Sequence, residues 1–149
     1  MRQSLGTITN FGGWTMPKRR FSAVMDSLRE ALPWILARGR EAGLTDDRLF
    51  KVELACEEAL TNVIRYAYPD GVGDMLVWAE SGARGFEVRI MDEGVPFNPV
   101  QMDLPDTGLS LEDREIGGLG ILMASEMADE IIYSRDGNRN RLVLIWNSQ

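Results

Sequence analysis

Three stretches of the chain carry residue types whose spacing suits chemistry. In Glu58-Ala59-Leu60-Thr61-Asn62 a carboxylate and a carboxamide stand one helical turn apart. On a helix that spacing sets both on one side. There the acid is suited to act as a base, and the amide oxygen to hold Mg²⁺, a cation that takes oxygen ligands and keeps several waters. A solvated Glu and Asn on an ordinary amphipathic helix is the other reading. In Asp92-Glu93-Gly94-Val95-Pro96-Phe97 the alternation of the preceding residues turns Asp92 toward the apolar face of a strand. An acid buried there must find a donor, because unpaired burial costs several kcal/mol. An adenine amino group would serve and a guanine carbonyl would be repelled. Backbone N–H groups of a turn capped by Asp92 are the competing donors. Gly94 would let the backbone approach a flat ring. In Gly117-Gly118-Leu119-Gly120 glycine-rich backbone leads into a helical stretch. Such a run offers N–H groups and the positive end of a helix dipole to an anion, and a hinge explains the same glycines. It is not a Walker A loop, since no Lys-Ser/Thr follows. As a dinucleotide fingerprint it is poor, since the third glycine falls at Met123.

The elements that must position these clusters follow from periodicity. Residues 1–17 have no clear pattern; 6–9 could form a short strand, broken by Gly12-Gly13. A helical spacing runs over 21–42 through Val24, Leu28, Ala31, Leu32, Ile35 and Leu36, with Pro33 expected to kink it or shift its boundary. The next helix is capped by Thr45 or Asp46. Its apolar stripe passes through Leu49, Val52, Cys56, Ala59, Leu60, Val63, Ile64 and Ala67, and Pro69-Asp70-Gly71 ends it. Strands are expected over 75–80 and 86–92. A loop over 93–118 comes next, rich in glycine, proline and acids, and a loop that long in a small domain is functional or disordered. A helix over 119–127 and two strands over 130–135 and 141–146, joined at Asp136-Gly137-Asn138, complete the order.

With 149 residues, 44% hydrophobic and 26% charged, the chain suits one globular domain. It has no histidine and a single cysteine, Cys56. This excludes Ser-His-Asp and Cys-His catalysis, His-ligated zinc, a phosphorylated histidine on this chain and an internal disulfide. A formal charge of −7 argues against general nucleic-acid affinity. No apolar run approaches the length of a membrane helix and the N-terminus lacks a signal-peptide core, so a cytoplasmic protein is expected.

The three clusters in this order resemble the N, G1 and G2 boxes of the GHKL ATPase superfamily. The details are most similar to the bacterial anti-sigma factor serine/threonine kinases: Glu57-Glu58-Ala59-Leu60-Thr61-Asn62, the run from Asp92 to Phe97 with Pro99 two residues on, Gly118-Leu119-Gly120-Ile121, then Asp129-Glu130 and Tyr133. The resemblance covers residues 45–146. It implies a single histidine-kinase-like ATPase domain over 1–149. The fold would be an α/β (α+β) two-layer sandwich, with a mixed, mainly antiparallel sheet and its helices on one face. It also implies ATP and Mg²⁺ as cofactors. Asn62 would hold the metal, and Glu58 would be the general base that takes a proton from a serine or threonine hydroxyl. Asp92 would bind the adenine amino group, with Gly94 and Pro96 beside the base. Residues 101–118 would form the lid, and Gly117, Gly118, Leu119 and Gly120 would hold the phosphates.

The partners it implies are a sigma factor and a STAS-type antagonist that the protein phosphorylates, acting as a homodimer, with no direct nucleic acid and no membrane. The alternative is a nucleotide-gated protein-binding regulator of the same fold that transfers nothing. The chain departs from the superfamily at two places. Tyr66 stands where relatives often have histidine. The stretch 137–141 has no threonine to help fix the adenine, and offers asparagine instead. Arg65, one turn beyond the box, is either an assisting cation or a surface arginine.

Overall fold

The computed structural model describes residues 9–11, 14–16, 18–97 and 126–148. Short strands β1 (Thr9–Phe11) and β2 (Trp14–Met16) pair antiparallel on either side of Gly12-Gly13. Then come β3 (Lys18–Ser22), a 3₁₀ turn (Met25–Ser27), α1 (Leu28–Glu41), α2 (Asp46–Tyr66), β4 (Asp74–Ser81), β5 (Gly85–Asp92), β6 (Glu130–Asp136) and β7 (Arg139–Asn147). The last five strands form one sheet in the order β3-β4-β5-β7-β6, antiparallel at every described pairing. Both helices pack on one face of it, so the expected two-layer α+β sandwich is the architecture found.

The start of the first helix differs from the sequence expectation. Phe21 belongs to β3, and α1 begins at Leu28. Phe21 suits the helical spacing of the residues after it. As an edge-strand residue, however, it is the only one of its strand buried in the core, and the strand is held by pairing with residues more than 50 positions away. Pro33 lies on the exposed side of α1, and the helix is continuous through it.

α2 follows its sequence pattern. The Thr45 hydroxyl accepts from the Arg48 N–H at 3.3 Å, Asp46 and Asp47 occupy the first turn and Arg65 the last. Cap and charges thus complement the helix dipole. Val52, Cys56, Ala59, Leu60 and Val63 are buried against Val77, Val88, Ile90 and Leu144 of the sheet. Trp78 and Met91 form a smaller cluster on the opposite face, where the Lys18 ammonium stands 5.6 Å from the Trp78 ring centre.

The expected helix over 119–127 and the residues of the G2 box fall outside the described residues, except that Glu126 and Met127 are helical. The chain from Met127 to Asp129 is firmly tied. The Trp146 indole N–H donates to the Met127 carbonyl at 2.9 Å. Asp129 accepts from the Asn147 N–H at 2.7 Å and from Arg48 at 3.0 Å. These bonds, the backbone one first, hold its carboxyl below the usual range. One acid thus joins the start of α2 to the last strand and to the turn entering β6.

Candidate functional site

The site is assembled where α2 crosses the end of β5. Ala59 and Val63 of α2 line a hollow with Ile90, Asp92, Phe97, Tyr133, Asn140 and Leu142. Ala59 belongs to the first sequence cluster and Asp92 and Phe97 to the second, so these two clusters meet here, while Glu58 and Asn62 stand beside the lining residues on α2 and do not themselves line the hollow.

Asn62 is 1% exposed, and neither its amide nitrogen nor its amide oxygen has a hydrogen-bond partner among the described residues. Buried polar side-chain atoms are bonded in the large majority of cases. An orphaned amide oxygen is a ligand type that suits a hard cation, and Mg²⁺ needs few protein ligands because it keeps several waters. No group of three His, Cys, Asp or Glu side chains gathers for a metal among the described residues.

Glu58 is half-buried. Burial raises its carboxyl above the ordinary range, Glu57 adds to this, and Arg65 opposes it. A carboxylate with raised proton affinity is a better base than one in bulk water. Arg65 itself is exposed and acts on Glu58 through its charge.

Asp92 is 4% exposed on the helix-facing side of β5, as the alternation predicts. Its Oδ1 accepts from the Gly94 N–H at 2.8 Å and from the Asn140 amide at 2.9 Å. Its Oδ2 accepts no hydrogen bond among the described residues. The turn-capping reading and the ligand reading of this acid therefore divide between its two oxygens. Burial raises the Asp92 carboxyl, against the Asn140 bond, the Gly94 N–H and the Arg135 charge.

Gly94 is required by its neighbours in the fold. A Cβ there would overlap the backbone carbonyl of Ala67 at the end of α2, and the next N–H, of Val95, donates to that carbonyl at 2.8 Å. Pro96 is exposed. Phe97 packs on Tyr66, with ring centres 5.2 Å apart, so the residue that departs from the family pattern supports the loop after β5. The hollow measures about 10 Å³, room for one water. Gly117, Gly118, Leu119, Gly120 and the lid over 101–118 lie outside the described residues.

Sequence reasoning passed over Arg135, whose guanidinium donates to the Gly94 carbonyl at 2.9 Å and to the Asn140 oxygen at 3.2 Å. Alternation along β6 held the signal, because Arg135 shares a face with Ile131 and Tyr133.

Comparisons with known proteins place the chain in a family. The family of the histidine kinase-like ATPase domain matches residues 21–146. The chain belongs to that family. It is 27% identical over 100 residues to the serine/threonine-protein kinase BtrW of Bordetella bronchiseptica, covering 66% of this chain and 70% of that one. It is 26% identical over 129 residues to an anti-sigma F factor of Geobacillus stearothermophilus, covering 85% and 87%. With the serine-protein kinase RsbW of Bacillus mycoides the match is 26% over 98 residues, covering 63% of this chain and 61% of that protein. Among solved structures, the RsbU and RsbW domains of Rv1364c from Mycobacterium tuberculosis match with a TM-score of 0.58 at 15% identity. That match covers 91% of this chain and 34% of theirs, and it shows the fold alone. No helix among the described residues is long and apolar enough to cross a membrane.

Proposed function

We propose that the protein is an ATP- and Mg²⁺-dependent anti-sigma factor that holds a sigma factor and phosphorylates a serine or threonine of a STAS-type antagonist. The observation that carries this reading is the Asn62 amide, buried at 1% exposure and unbonded, beside the half-buried Glu58 on the same helix. A purely structural helix would gain nothing from either. The relatives named as serine kinases and anti-sigma factors support the choice of substrate and partners.

In this reading Asp92 Oδ2 accepts from the adenine amino group. Asn62 would hold the metal, which when bound spreads the charge of the phosphates. Glu58 orients the incoming hydroxyl and takes its proton as the oxygen bonds to the γ-phosphorus. The bond to the bridging oxygen breaks, and ADP leaves. Most of the rate gain then comes from positioning and charge, as in phosphoryl transfer generally. The glycine run 117–120 is assigned to the phosphates from its sequence.

A melting curve with and without ATP, at fixed excess Mg²⁺, tests the pocket. A ligand at about 100 times its Kd adds about 2.7 kcal/mol. At roughly 2–4 °C per kcal/mol for a domain of this size, that is a rise of several degrees. The rise is expected in the wild type and not in Asp92→Asn, whose amide offers a donor where the adenine amino group also donates. An unshifted wild-type curve in nucleotide-free protein would refute the ATP reading. With binding established, a single-turnover assay with labelled ATP and the antagonist separates a kinase from a regulator that binds nucleotide and transfers nothing.

A further inference from the structure

Asn140 is 4% exposed, on the helix-facing side of β7, directly across from Asp92 in the sheet. Its amide nitrogen donates to Asp92 Oδ1 at 2.9 Å and to the Val95 carbonyl at 2.8 Å. Its amide oxygen accepts from the Tyr133 hydroxyl at 2.6 Å, Arg135 at 3.2 Å and the Phe97 N–H at 3.3 Å. The partners fix which end is which. A flipped amide would set its N–H groups against the donors of Arg135 and Phe97, and its oxygen against a carboxylate and a carbonyl. Both N–H groups are in use and the oxygen already serves three donors, so the side chain has no bonding capacity left for a ligand.

We infer that Asn140 is a positioning residue for nucleotide recognition. It never touches the base. It locks Asp92 so that only Oδ2 is offered, and ties that carboxylate to the loop through Val95 and Phe97. The inference rests on the reading of Asp92 as the base acceptor. It gives Tyr133 and Arg135 a purpose, to hold the amide in its one useful orientation from the edge strand. It also assigns to an asparagine, by a saturated network, a duty that the sequence left open.

The charged and titratable groups around Asp92 among the described residues are Arg20 on β3, Asp74 on β4, Tyr133 and Arg135 on β6, Arg139 and Arg141 on β7, Glu93 beside it and Tyr68 after α2. From α2 the hollow receives only Ala59 and Val63. Asn140 is the donor whose loss should move the Asp92 proton, because its bond favours the ionised form. Without it Asp92 protonates at higher pH and stops accepting from adenine there.

The test is calorimetric titration of the full chain with ADP and Mg²⁺ across pH, for wild type, Asp92→Asn, Asn140→Leu and Asn140→Thr. Asn140→Leu is expected to bind ADP about tenfold more weakly or worse at neutral pH, the usual scale for a lost bond to a charged group. Its affinity should also fall away at a higher pH than the wild type's. Asn140→Thr, which restores one donor, should lie between. Wild-type affinity in Asp92→Asn would overturn the base-acceptor reading and the inference with it. Lost binding in Asp92→Asn with wild-type affinity in Asn140→Leu would overturn the inference alone. So would weakened binding in Asn140→Leu with an unmoved pH profile, the mark of a merely structural residue. If Asn140→Leu does not unfold cooperatively, Tyr133→Phe takes its place. It removes one donor from the amide oxygen and should weaken ADP severalfold, and unchanged binding would overturn the inference.

Discussion

Glu58→Gln is expected to bind ATP as the wild type does and to transfer phosphate to a STAS-type antagonist about 10²–10⁴-fold more slowly, the usual contribution of a positioned general base. The substitution keeps the size of the side chain and its place on α2. It removes only the ability to take a proton. Because burial and Glu57 raise the Glu58 carboxyl, the wild-type rate should fall as pH drops through that raised value, where the base becomes protonated. The residual rate of Glu58→Gln should lack that limb. Single-turnover transfer from labelled ATP, measured against pH for both proteins, reads the two effects together. A glutamine variant that transfers at the wild-type rate would remove Glu58 from the mechanism and leave the nucleotide pocket standing.

Asn62→Leu should change stability in opposite directions with and without ligand. The wild-type amide is buried with neither atom bonded among the described residues, and an unsatisfied buried polar group costs about 1–3 kcal/mol. Leucine of similar size removes that cost, so the ligand-free variant should be more stable by about that amount in urea unfolding. The further stabilisation by ATP and Mg²⁺ should be lost, since no oxygen remains to hold the cation. A site arranged for function, at the expense of the fold, gives this crossing. A variant that is less stable without ligand and still responds to Mg²⁺ and ATP would show that Asn62 is an ordinary packed residue.

Much of this site is legible in the order of the amino acids. The stripe from Leu49 to Val63 marks the helix, and with it the shared side of Glu58 and Asn62. Strand alternation puts Asp92 on the buried face, where it is found at 4% exposure. These signals are local, carried by periods of a few residues. The parts that stay hidden depend on pairing between distant segments. β3 has one buried apolar residue and owes its place to β4, far along the chain. Asn140 is a turn-end asparagine in the sequence and becomes a partner of Asp92 only through the register of β5 with β7. Gly94 suggests room for a ligand ring, yet its nearest crowding is the carbonyl of Ala67, a contact made by the return of the chain past α2. Periodicity sets which face a residue occupies, and register sets what it meets there.

The single cysteine adds a practical property. Cys56 sits at 0% exposure in the helix that carries Glu58 and Asn62, and burial pushes its thiol up from its ordinary value. Thiol reagents attack through the thiolate, so in the folded state this sulfur is silent and unreachable. It reacts only when the core around it opens, by parting of α2 from the sheet or by global unfolding, and local opening has its own free energy. The chain therefore carries one chemical clock, placed in the helix of the candidate site. With excess reagent the rate of colour from a chromogenic disulfide counts the openings of the core around that helix, local and global together. Any compound that seats in the hollow and holds α2 down will slow the clock, whether or not a phosphate is ever transferred.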